Sequence, residues 1–155
     1  MASTMRLPPD WSEFIELLST HGVRFLIVGA HALAAHGRPR ATQDLDVFVE
    51  ATEENARRLG GALRAFGFPA LADACDQFAE TDRMATLGSP PLQIDIVNHI
   101  TGVSFEEAWQ GRMTARFGTH EIGFLGRREF LMNKRAAGRP KDLADIALLE
   151  EIDEP

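Results

Sequence analysis

Residues 23–50 read VRFLIVGAHALAAHGRPRATQDLDVFVE, and this stretch decides the fold. The apolar run from Val23 to Val28 has the character of a buried strand and ends at Gly29. The Ala-rich residues 31–36 then turn back as a short helix closed by Gly37, and Pro39 prevents its continuation. A second strand begins near Gln43, where Leu45, Val47 and Val49 alternate with Asp44 and Asp46. A period of two places both carboxylates on one face of that strand. Two like charges at that spacing repel, and a hard divalent cation such as Mg²⁺ is the natural partner for a few such oxygens together with substrate phosphates. A solvated strand face is the competing reading. Thr42, just before the pair, either contacts phosphate or satisfies backbone groups where the strand starts.

Outward from this stretch, Asp10 and Glu13 have the spacing of an acidic capping box, predicting a helix over 11–20. Thr52 caps a helix running to about Phe66, with Arg57, Arg58 and Arg64 towards its C-terminal half. Between Gly67 and Ala79 Pro69 interrupts the pattern, and residues 71–78 read as helical. Residues 83–87 and 91–97 form a hairpin across Gly88-Ser89-Pro90; on its second strand Gln93 and Asp95 alternate with apolar residues, so Asp95 projects from the same kind of face as the acid pair. Ser104 begins a short helix through Trp109, and 112–117 and 120–125 pair antiparallel about Gly118. Two helices over 127–136 and 140–151 close the chain, the second restarted by Pro140. The reading is therefore a single domain of α/β (α+β) class over 1–155, with a core of about 10–125 and a C-terminal helical pair.

Composition narrows the function. With 155 residues, 45% hydrophobic and 25% charged, the chain holds enough apolar material for one core. A net charge of −7 argues against coating duplex DNA or anionic membranes. No apolar stretch is long enough to span a bilayer, the start MASTMRLPPDW has no signal-peptide core, and a cytoplasmic location is the expectation. The lone Cys75 excludes an intramolecular disulfide and reads as an inert small residue. Charge reverses locally in residues 127–141, where Arg127, Arg128, Lys134, Arg135, Arg139 and Lys141 face only Glu129 among the acids. Such a segment suits a polyphosphate, although Lys134 and Arg135 also fit the electrostatics of a helix C-terminus. Asp142 and Asp145 read as stabilisers of their helix start or partners of nearby arginines, and His31 and His36 as packing or hydrogen-bonding groups near the turn.

The arrangement Val28-Gly29, helix, His36-Gly37, Arg40, Thr42, Asp44-x-Asp46 and a later strand acid resembles the nucleotidyltransferase superfamily. More narrowly it resembles the small bacterial lincosamide-type and AbiEii-type nucleotidyltransferases, the latter being toxins of toxin–antitoxin pairs. The closing segment LMNKRAAGRPKDLADIALL, residues 131–149, is similar to the end of those proteins. The resemblance implies a short mixed β-sheet flanked by helices, with the acids on neighbouring strands, and a Mg²⁺-dependent transfer of a nucleoside monophosphate, AMP foremost, from a nucleoside triphosphate such as ATP to a hydroxyl, with release of pyrophosphate. Asp44 and Asp46 would hold two metal ions, and Asp95 would help bind the second and deprotonate the acceptor. Gly29 and Ala30, at the turn, would bring backbone N–H groups to the phosphates. Lys134 would neutralise the triphosphate, with Arg40 or Arg139 as second contacts. Many members carry Gly-Ser or Gly-Gly at this turn; Gly29-Ala30 lacks the hydroxyl. The acceptor is left open among an antibiotic-like alcohol, a tRNA end and a protein side chain. The alternative is a binding or regulatory module that keeps the fold and acts through a protein partner; a homodimer is a further expectation.

Overall fold

A computed structural model describes residues 7–38 and 42–151. Its centre is a six-stranded mixed sheet in the order β3-β4-β2-β1-β6-β5. The strands are β1 (Phe25–Val28), β2 (Asp44–Val49), β3 (Met84–Leu87), β4 (Gln93–Val97), β5 (Met113–Phe117) and β6 (His120–Phe124). β2 lies between β1, to which it is antiparallel, and β4, to which it is parallel. β1 also pairs parallel with β6, while β3–β4 and β5–β6 are the two antiparallel pairs that complete the sheet.

The helices are α1 (Pro9–Thr20), α2 (Ala30–Ala35), α3 (Glu53–Phe66), α4 (Pro69–Asp73), α5 (Phe105–Gln110), α6 (Arg127–Ala137) and α7 (Pro140–Glu150), with a 3-10 turn over Cys75–Ala79. α1 and α3 pack on each other, and α6 packs on α7. Phe14, Ile15 and Leu18 of α1 and Leu59 and Leu63 of α3 are fully buried with Leu26, Ile27, Leu45 and Val47 of the central strands. This continuous apolar cluster fixes the sheet by removing its side chains from water.

Several boundaries follow local chemistry. Thr52 accepts the Asn55 N–H at 3.1 Å and starts α3, and Gly67, with φ 100°, ends it. The capping box expected at Asp10 and Glu13 does not form: Pro8 is the N-cap and Pro9 the first helical residue, so α1 starts earlier and Asp10 falls within its first turn. A reciprocal box occurs instead at Ser104 and Glu107, where each side chain bonds the other's backbone N–H at 3.1 Å. The expected single helix over 71–78 is two pieces, and Pro69 starts the first at its favoured first helical position. No helix among the described residues is long and apolar enough to cross a membrane.

Candidate metal and nucleotide site

Asp44 and Asp46 sit at the N-terminal end of β2, two residues apart and on one face. Parallel pairing sets Asp46 directly beside Asp95 of β4. One carboxylate oxygen from each of the three acids lies within 4.8 Å of the others. The cluster is therefore a product of register: a slip of one residue along β2–β4 would turn Asp95 to the opposite face.

The three acids differ in how they are held. Asp44 is tied locally, its Oδ1 2.9 Å from the Thr42 hydroxyl, which also lies 3.1 Å from the Asp44 carbonyl. Asp95, 7% exposed, accepts from the Thr86 hydroxyl at 2.8 Å and from the Gln93 amide at 3.0 and 3.2 Å. Among the described residues no hydrogen bond reaches the Asp46 carboxylate. Burial pushes its pKa up to about 6, the negative charges of Asp44 and Asp95 add to the rise, and Lys134 and Lys141 oppose it. Its carboxylate instead packs against Gly29, whose φ is 70°. A Cβ at Gly29 would collide with that carboxylate, so glycine is required here both for backbone conformation and to leave room for Asp46. Three clustered carboxylates form an all-oxygen donor set suited to Mg²⁺, and the pressure on Asp46 to take up positive charge fits a cation among them.

The remaining predicted residues are placed as follows. Ala30 is buried and opens α2, with Gly29 as its N-cap. Arg40 lies outside the described residues. Lys134 is buried, its Nζ 3.4 Å from Asp142 and 3.7 Å from Asp145, and 5.3 Å from the centre of the Phe130 ring. Its charge reaches Asp46 from within the α6–α7 pair. Arg139 is exposed and directs its fork at Asp142, with Nε 2.7 Å and Nη2 3.2 Å from the two carboxylate oxygens. That bond holds Asp142 down to a pKa of about 2. Asp142 is thus a helix-start and cation-pairing residue, as its position at the start of α7 implies.

His31 is pinned between the rings of Trp11 and Phe117, at 5.1 and 5.2 Å, and burial lowers its pKa, favouring a neutral ring. His36 Nε2 is 2.9 Å from the Leu125 carbonyl. Cys75 is buried and its thiol is pushed up to about 11, chiefly by burial, which fits the inert reading.

Sequence reasoning missed Thr86 altogether and noted Gln93 only as part of an alternation. A threonine two residues after an exposed Met84 on a short strand carries no signal of its own; only the β3–β4 register, which pairs Thr86 with Asp95, reveals the contact. An open cleft of about 740 Å³ runs beside the acids, lined by Thr42, Gln43, Asp44, Pro90 and Gln93. A second cavity of about 790 Å³ lies between α3 and the 3-10 turn, with Arg57, Arg64 and Asp73 in its lining, and contains none of the three acids.

Neither a protein-family model nor a curated protein sequence matches this chain. Solved structures do match. One, a candidate nucleotidyltransferase from Thermotoga maritima, aligns with a TM-score of 0.55 at 13% identity, over 91% of this chain and 88% of its own. Another, the lincosamide antibiotic adenylyltransferase LnuA with lincomycin bound, aligns with a TM-score of 0.46 at 11% identity, over 95% of this chain and 98% of its own. With its mixed six-stranded sheet, flanking helices and coverage of nearly the whole Thermotoga maritima structure, this chain has a nucleotidyltransferase-like fold.

Proposed function

We propose that this chain is a Mg²⁺-dependent nucleotidyltransferase that moves a nucleoside monophosphate, AMP foremost, from a nucleoside triphosphate to a hydroxyl acceptor. The observation that carries the reading is the convergence of Asp44, Asp46 and Asp95 from two adjacent strands of this fold. Asp44 and Asp46 would hold the cations from β2, and Asp95 would complete the site from β4. Bound there, Mg²⁺ would neutralise the triphosphate and the leaving pyrophosphate. In the transfer, the acceptor oxygen forms a bond to the α-phosphorus, the bond to the bridging oxygen of the β-phosphate breaks, and the acceptor proton passes to Asp95. Lys134 and Lys141 are the proposed sources of positive charge near the triphosphate, a reading supported by the effect of both on Asp46. The turn at Gly29-Ala30 would offer backbone N–H groups to phosphate without a side-chain hydroxyl. Arg139 and Arg40 are the proposed further phosphate contacts; for Arg139 this means exchanging part of its bond to Asp142 for the ligand.

The test is incubation of the purified chain with labelled ATP or GTP, Mg²⁺ and fractionated small-molecule, tRNA and protein acceptors. Label transfer with equimolar pyrophosphate, lost in Asp46→Asn, is the expected result. Transfer at full rate by Asp46→Asn would overturn the metal assignment.

One observation favours a second reading, a nucleotide-binding or regulatory module that acts through a protein partner, as in a toxin–antitoxin pair. Lys134, the predicted phosphate lysine, is already paired with two carboxylates. Triphosphate binding by calorimetry that is indifferent to Mg²⁺, with no turnover on any acceptor, would select this reading.

A further inference from the structure

Among the described residues, the two flanking acids of the cluster are held by hydroxyl and amide groups rather than by cations, and Asp95 is restrained from its own strand and from the neighbouring one. Asp95 and Asp46 face each other across a parallel ladder, where like charges would turn their carboxylates apart. Two side chains oppose that rotation. Thr86 lies directly across the antiparallel β3–β4 ladder and donates its hydroxyl to Oδ1 at 2.8 Å. Gln93 precedes Asp95 by two residues on the same face, and its amide reaches Oδ1 at 3.0 Å and Oδ2 at 3.2 Å. Both are neutral donors. An arginine or lysine in either place would orient the carboxylate equally well but would also compete with a bound cation for its charge. Hydroxyl and amide groups fix the direction of the oxygens and leave the negative charge available. Gln93 additionally lines the open cleft beside the acids, so the restraint is applied at the edge of the space a ligand would enter.

We propose that Thr86 and Gln93 are positioning residues of the acid site: they lock the Asp95 carboxylate beside Asp46 in the orientation that a divalent cation requires, and the affinity of the chain for that cation depends on them. This rests on the cation reading of the three acids given above. It requires no contact between either residue and substrate. Thr86 is exposed and Gln93 half-buried, so neither is part of the apolar core.

The experiment is a titration of the full chain with Mn²⁺ followed by electron paramagnetic resonance of the free ion. The proteins are wild type, Thr86→Val, Thr86→Ser, Gln93→Leu, the Thr86→Val/Gln93→Leu double variant and Asp46→Asn, each with a metal-free thermal melt. The double variant is expected to bind Mn²⁺ about 10- to 100-fold more weakly than wild type, as loss of groups that orient metal ligands generally does. Thr86→Val and Gln93→Leu should each fall between, and Thr86→Ser, which keeps the hydroxyl, should stay within about twofold of wild type. Metal-free melting temperatures of Thr86→Val and Gln93→Leu should stay within about 2 °C of wild type, which separates a lost orientation from a damaged fold. Mn²⁺ binding by the double variant at wild-type strength, with Asp46→Asn unable to bind, would overturn the positioning role and leave the acid site standing. Equal weakening by Thr86→Ser and Thr86→Val would overturn it too. Failure of wild type itself to bind Mn²⁺ would remove the cation reading, and the positioning role with it.

Discussion

Asp46 is where the chemistry and the stability of this chain oppose each other. A carboxyl raised to about 6 on folding binds more protons in the native than in the unfolded state between its ordinary value and that one. Its contribution to stability therefore declines as pH rises through that interval, and at neutral pH the ionised group is a net cost. Asp46→Asn is expected to stabilise the metal-free protein at pH 7.5 by on the order of 1 kcal/mol after allowance for solvent screening, read from urea unfolding, while abolishing Mn²⁺ binding. The same ionisation sets the cation's pH dependence. Affinity should be level above about pH 7 and fall as pH drops below about 6, because the protonated acid no longer supplies a charged ligand. Metal titrations between pH 5 and 8 check this, and affinity independent of pH over that range would contradict the shift. Gly29 is the other sensitive position. Gly29→Ala forces a side chain into a left-handed backbone and into the Asp46 carboxylate, and should destabilise by about 1–3 kcal/mol in urea melts, with Mn²⁺ binding weakened in the same protein.

At the scale of elements, a buried lysine of α6 between two acids of α7 joins that pair, and the Arg139 fork on Asp142 closes the N-terminus of α7. Asp142 has a depressed folded pKa of about 2, so its stabilisation is complete above the ordinary aspartate value near 4 and is lost as pH falls from there towards 2. Arg139→Ala should flatten that part of the acid-unfolding curve, followed by circular dichroism between pH 5 and 2. Lys134→Met removes the cation that Asp142 and Asp145 share, while Arg139 stays on Asp142, and is expected to cost about 1–3 kcal/mol in urea melts. These pairings also mark the limit of what sequence could disclose. The strand carrying Asp44 and Asp46 was legible because period-two alternation is a local signal, and Gly67, Gly138 and Pro140 punctuate helices through their own backbone preferences. The role of Lys134 was not legible in this way. A basic run looks available to a ligand until the packing of one helix on another places carboxylates around one of its members. Asp10 and Glu13 had the spacing of a cap, but Pro8 and Pro9 shifted the helix start, a competition between two local rules that spacing alone does not rank.

Across the whole molecule, β2 is flanked on both sides by paired strands, whereas β3 and β5 are the two edges of the sheet. Hydrogen exchange should therefore be slowest in the amides of β1, β2 and β4 and fastest among strands in β3, whose Met84 is 62% exposed. Addition of Mg²⁺ should raise the melting temperature of wild type and leave that of Asp46→Asn unchanged, with the rise reversed by a chelator. The position of Asp95 beside Asp46 joins residue to architecture. Neighbouring strands were an expectation from the family resemblance, but the parallel register that pairs these two residues is a property of the assembled sheet. Thr86 became visible only through that register and the one beyond it.

The parallel ladder between β2 and β4 has a consequence for how such a chain can be altered. Everything between those strands, α3, α4, the 3-10 turn and β3, leaves the acids on one strand and returns to them on the other. An insertion at residues 81–82, the exposed bend between the backbone anchors that Asn98 makes to Glu80 and Arg83, lengthens the excursion without moving either end of it, and loop lengthening is thermodynamically cheap. A single residue added or lost within β2 or β4 would instead reverse the face on which an acid lies. The molecule thus separates a segment whose length can be edited from a ladder whose count cannot, and new recognition surfaces can be grafted into the former with the reactive geometry left in place.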